Sequence, residues 1–151
     1  MNRIIHGDCL TVLPKLPPAK CVFADPPDNL GQKYNGFEDK WPSMQAYHDW
    51  LLKVLEAAAW NNPSLIWIST YYRHQAPLGS MAEFMARESS ILPVWEPRWF
   101  YWHFTFGEQQ ERDFKNCHRP IVRLMKPDAK VYPEAVKEQS QRQRNGDKRA
   151  K

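Results

Sequence analysis

Cys21-Val22-Phe23-Ala24-Asp25-Pro26-Pro27-Asp28-Asn29-Leu30 is the stretch from which the rest of the chain is best read. Its first four residues form a short, continuously apolar run, the pattern of a parallel strand buried on both faces. The run stops at Asp25, and two prolines then fix φ and keep the chain from continuing a strand or starting a helix early. In open α/β sheets, ligands bind at the carboxyl ends of strands. Asp25 stands at such an end. The loop therefore holds one carboxylate, that of Asp25, and one free carbonyl, that of Pro26, towards a cleft. Two acceptors held this way suit a substrate bearing an –NH₂ group. Hydrogen bonds from both N–H groups would localise the nitrogen lone pair and make the amine a nucleophile. A plain Asp-Pro-Pro turn closing a strand is the alternative, and the tripeptide alone does not separate the two.

Outward from this loop the chain alternates strands and helices, an α/β signature. Upstream, Ile4-Ile5 reads as a strand leading into Gly7-Asp8, and residues 9–16 as one or two helical turns halted by Pro14 and Pro17. Downstream, Met44, Tyr47, Leu51, Val54, Leu55 and Ala58 recur at helical spacing, so residues 43–60 form a helix with Ser43 as N-cap. Asn61-Asn62-Pro63 ends it, and residues 64–69 form the next buried strand. Ser80 and Glu83 make a capping box before Phe84 and Met85, which argues for a short helix. Further strands are expected over 91–95, 98–106 and 120–125. The aromatic stretch 99–106 suits either base stacking or a strand buried in the sheet. Aromatics on both of its faces favour the buried strand, with His103 a hydrogen-bonded core histidine.

Composition narrows the class. With 151 residues, 42% hydrophobic, 25% charged and 13% aromatic, the chain is one globular domain and not a disordered one. No apolar run approaches the roughly 20 residues that span a bilayer, and the N-terminal stretch is too short for a secretory signal. Three widely separated cysteines argue against a disulfide framework. These features together fit a soluble, reduced, cytoplasmic protein with no membrane partner. The net charge of +4 is uneven: six Lys/Arg stand against three acidic residues over 134–151. Residues 1–133 thus read as the folded domain and 134–151 as a basic, disordered tail. Such a tail is either a solvated terminus or an arm on nucleic acid.

Ile4-Ile5-His6-Gly7-Asp8-Cys9-Leu10, a short helix, and then Ala24-Asp25-Pro26-Pro27-Asp28-Asn29-Leu30-Gly31 together resemble the start of DNA N-methyltransferases of the β motif order. The resemblance extends through the 43–60 helix and the 65–69 strand to Asn116-Cys117-His118-Arg119-Pro120, roughly residues 1 to 145. It implies an α/β, partial Rossmann-like methyltransferase fold, a mostly parallel sheet flanked by helices that lacks the C-terminal cofactor half. It also implies methyl transfer from S-adenosylmethionine to adenine N6 or cytosine N4 of double-stranded DNA. Asp25, Pro26 and Pro27 match the first three residues of the family's D-P-P-[YFW] catalytic motif, with Asp28 in its fourth position. Asp8, with the Cys9 backbone beside it, matches the acidic residue that accepts from the cofactor's adenine amine. Asn29, Asn116 and His118 fall on the substrate side. A metal pair at Cys117-His118 is the competing reading, but no second pair stands at zinc spacing.

The chain departs from the family pattern in two ways. The family's fourth motif position is aromatic and stacks on a base flipped out of the duplex. Asp28 has no π face, and it places a second carboxylate close to Asp25. The second departure concerns glycine. The family holds the methionine end of its cofactor with a loop of closely spaced glycines, whereas no two of the six glycines here lie within two residues of each other. The expectation is a truncated, impaired methyltransferase. Its sheet has a gap between the strand ending at Asp8 and the strand ending at Asp25. A partner chain or self-association would complete it. A non-catalytic DNA-binding remnant and one half of a split enzyme remain alternatives.

Overall fold

Helix α2 (Met44–Trp60) starts where Ser43 leaves extended backbone and its Oγ accepts from the Ala46 amide at 3.1 Å. Tyr47, Leu51, Val54, Leu55, Ala58 and Ala59 form its buried face. It ends at Asn61, after which Asn62 takes a left-handed conformation (φ 54°) and Pro63 forbids another turn. A four-residue helix, α1 (Cys9–Val12), is capped by Asp8, whose carboxylate accepts from the Leu10 amide at 3.0 Å, and Pro14 tightens it into a 3₁₀ turn. The computed structural model describes residues 3–74, 96–108 and 116–135. The helix expected around Ser80 and Glu83, the strand over 91–95 and nearly all of the 134–151 tail lie outside the described residues.

Four strands form one mixed sheet in the order β1 (Cys21–Ala24), β4 (Leu65–Ser69), β6 (Asn116–Met125), β5 (Glu96–Glu108). β1 and β4 are parallel, with Val22 opposite Ile66, and α2 supplies the long crossover that parallel neighbours require. β6 runs antiparallel to β4, and β5 runs antiparallel along the outside of β6 with an irregularity between His103 and Glu108. A separate hairpin, β2 (Lys33–Tyr34) and β3 (Phe37–Glu38), turns at Gly36, whose φ of +83° favours glycine. The core lies between α2 and one sheet face: Tyr47, Leu51, Leu55, Ile66, Ile68, Val122 and Leu124 are buried there, with Val22 and Trp99 packed against them.

The second sheet face is more open, and four expectations change. β1 is not buried on both faces: Phe23 is 63% exposed, because the described sheet ends at β1 and only the Val22 side meets the core. The aromatic strand is not core either. β5 is the other edge, so Trp99 packs inward while Tyr101 and Trp102 stay more than half exposed. His103 is exposed rather than a core histidine, with its Nε2 3.4 Å from the Cys117 thiol. Ile4 and Ile5 form no ladder, and Ile4 is fully exposed. A strand there has no neighbour among the described residues, since β1 pairs with β4 alone. An isolated strand leaves its backbone groups unpaired, so the segment stays irregular.

Candidate active site

The Asp25–Asp28 loop leaves the carboxyl end of β1 and is held from below by α2. The Tyr47 hydroxyl donates to the Pro27 carbonyl at 2.8 Å, and burial, followed by the nearby Asp28 charge, pushes its phenol well above the usual tyrosine range. The tyrosine therefore stays a neutral donor. From the far side, His74 Nε2 lies 2.7 Å from the Asp28 carbonyl. Nε2 donates there, since a carbonyl oxygen only accepts; Nδ1 is buried and has no hydrogen-bond partner among the described residues.

After Asp28 the chain reverses around Asp39. This carboxylate is buried and accepts from the Leu30 amide at 3.3 Å and from the Gln32 amide. Asn29 adopts a left-handed conformation (φ 56°), and its side-chain oxygen accepts from the Trp41 amide at 3.0 Å. These bonds bring the β2–β3 hairpin over the loop.

A cavity of about 600 Å³ results, lined by Asp25, Pro26, Pro27 and Asp28 on one side and by Tyr34 and Phe37 of the hairpin on another. Trp102 of β5 and Arg119 of β6 close it. Arg119 is the residue that reading the sequence missed. Its Nη1 and Nη2 grip the two Asp28 oxygens at 2.9 and 2.8 Å, Nη2 also reaches Asp25 Oδ1 at 3.1 Å, and Nε donates to Ser69 Oγ. Burial opposes its charge, but the Asp28 and Asp25 carboxylates outweigh that and hold the guanidinium above its ordinary pKa. The extra negative charge at position 28 is thus matched by a cation from β6, two strands away in the same sheet. The signal was present one residue beyond His118: alternation along β6 sends Val122 into the core, so Arg119 points to the other face.

The other expected residues lie elsewhere. Asp8 caps α1, and the half-buried Cys9 beside it has its thiol pushed up, by burial first and by the Asp8 charge second. Asn29 spends its side chain on Trp41 and Met44 and lines a neighbouring depression. Asn116 begins β6. His118 is half buried, edge-on to the Tyr101 ring, and does not line the cavity. Among the described residues, no group of three or more His, Cys, Asp or Glu is placed to hold a metal ion, and no helix is long and apolar enough to cross a membrane.

His48 flanks this region on α2, its ring edge-on to His74 with centroids 5.8 Å apart. Burial, and then His74, push its pKa below the usual histidine value, partly offset by Asp49. In the unfolded chain it protonates near 6.5, so the stability it contributes is present above that pH. That stability is lost as pH falls through the lower folded value. The melting temperature is expected to drop on acidification from pH 7.5 to 5, with a shallower slope in His48→Gln. An identical slope in the variant would assign the acid sensitivity to other groups.

No family model matches the chain. In sequence it is 28% identical over 141 residues to the DNA adenine methyltransferase YhdJ of Escherichia coli, an alignment covering 87% of this chain and 43% of that protein. In structure it is similar to the crystal structure of an M1.HpyAVI–SAM complex, with a TM-score of 0.56 at 15% identity, over 93% of this chain and 62% of that one. The chain therefore spans less than two thirds of either protein. The α/β arrangement is a partial Rossmann-like fold.

Proposed function

This chain is related to the DNA N-methyltransferases over part of their length, and from that premise we propose that it forms the amine-holding half of such an enzyme. The observation that carries the reading is the cavity at the end of β1, with Asp25 and the Pro26 carbonyl at its rim. Asp25, its side chain more than half exposed, accepts one N–H of an exocyclic amine on double-stranded DNA, adenine N6 or cytosine N4. The Pro26 carbonyl accepts the other. Asp25 is also placed to take the proton that the amine gives up. Arg119 reaches Asp25 through Oδ1 alone, which leaves Oδ2 for the amine. Tyr47 and His74 hold the loop's backbone in place while the ligand binds.

The cofactor fits only in part. S-adenosylmethionine, when bound, supplies an electrophilic methyl group. Asp8 offers a carboxylate for its adenine amine, one oxygen of which already caps α1. None of the six glycines is close enough to another to form the loop for the methionine end. We therefore assign that end to a second lobe of different sequence, on further chain or on a partner, set against the β1 edge that has no neighbour among the described residues. The basic 134–151 segment would add sequence-independent affinity for the phosphate backbone. Residence in the cytoplasm and a place in a restriction-modification system are consistent with this reading.

The test measures methyl transfer from labelled S-adenosylmethionine to duplex DNA. The chain would be assayed alone and with a separately produced methyltransferase lobe carrying closely spaced glycines. Turnover is expected only in the mixture. Turnover by the chain alone would remove the need for a second lobe, and none in any mixture would overturn the methyl-transfer reading.

A further inference from the structure

The cavity raises a chemical problem that its floor also answers. A flipped base needs a flat partner, and the position where the related enzymes carry an aromatic ring holds Asp28. Arg119 is flat as well. Four of its five N–H bonds are directed in the guanidinium plane: one to Ser69, one from each terminal nitrogen to Asp28, and one to Asp25. With its edge spent, the group offers a ligand chiefly its face, and guanidinium planes stack on bases much as aromatic rings do. The register sets Trp102 of β5 directly opposite Arg119 of β6. Cross-strand partners share a sheet face with Cβ atoms about 5 Å apart, so the two side chains leave the sheet from neighbouring positions on one face. Both line the cavity, and Trp102 is 59% exposed.

We propose that Arg119, clamped by Asp28 and flanked by Trp102, is the stacking surface for the target base, in place of the ring that position 28 lacks. This rests on the amine-pocket reading above and adds to it the residue that recognises the base. Asp28 is then a positioning residue that acts through Arg119, and the aspartate belongs to a working arrangement. A lysine at 119 would keep the charge but lose the plane and the bidentate grip.

The experiment uses the full chain and a five-nucleotide strand that is abasic except for a central 2-aminopurine, whose fluorescence falls on stacking. The same strand with an abasic centre is the control. The parent chain is expected to prefer the base-bearing strand and to quench it. Arg119→Lys should weaken the base-bearing strand by about 5- to 150-fold, the range for one stacked base, and abolish the quenching while leaving the abasic strand unchanged. Trp102→Leu, at an exposed edge position where folding is not at risk, should act in the same direction. An equal loss for both strands would make Arg119 a phosphate contact and overturn the proposal. A base preference that survives Arg119→Lys, or survives Trp102→Leu should the lysine variant not fold, would overturn it alone. A parent chain with no preference for the 2-aminopurine strand, nor for the same strand with a central adenine or cytosine, would overturn the amine pocket itself.

Discussion

Tyr47→Ala is expected to cost about 3–5 kcal/mol, a large share of the roughly 5–15 kcal/mol that holds a domain of this size together. Tyr47 is fully buried, its ring packs edge-on to Trp41 at 5.0 Å and against His74 at 4.8 Å, and few described side chains join as many elements. Truncation leaves a ring-sized void that the flanking tryptophan and histidine fill only in part. It also strands the Pro27 carbonyl. Tyr47→Phe separates the two effects: the core stays filled and only the hydrogen bond is lost, for about 1–3 kcal/mol. Urea unfolding should show both losses with little change in slope. Amide exchange at Leu30 and Gly31 should quicken in Tyr47→Phe more than exchange in β4 and β6. A phenylalanine variant as stable as the parent would mean that the loop keeps its place without α2.

Much of this arrangement was legible in the sequence, for reasons that differ by element. The α2 helix follows from a cap, a periodic face and a proline stop, all local signals, and its bounds matched to within one residue. β1 and β4 follow from short apolar runs ended by Pro or Ser. Burial did not follow, because it depends on what lies beyond each strand. The aromatic run 99–106 has the composition of a core strand but sits at an edge, so Trp99 packs against the core while Trp102 lines a cavity. The Asp25–Asp28 loop was legible as a rigid turn at the carboxyl end of a strand, whereas the partner of Asp28 was not. Arg119 lies 91 residues away, and only the β4–β6 register brings it under the loop.

The same contact reverses what a substitution at position 28 should do. From the sequence alone, Asp28→Tyr supplies the missing ring, removes a charge beside Asp25 and ought to raise activity. The geometry gives the opposite sign. Asp28 accepts two of the hydrogen bonds that fix the guanidinium, and without it Arg119 is left with Asp25 and Ser69. It would then compete with the target amine for the one carboxylate that the amine needs. In the lobe-complemented methyl-transfer assay, Asp25→Ala is expected to lose at least about 100-fold, the scale of a missing proton acceptor. Asp28→Tyr should fall below the parent as well. Asp28→Tyr combined with Arg119→Met should recover part of that loss, because the ring replaces the guanidinium face and nothing then sits on Asp25. The two positions are in contact, so their effects should be strongly non-additive. Higher activity in Asp28→Tyr alone would show that Arg119 does not block Asp25, and full activity in Asp25→Ala would remove that carboxylate from the chemistry.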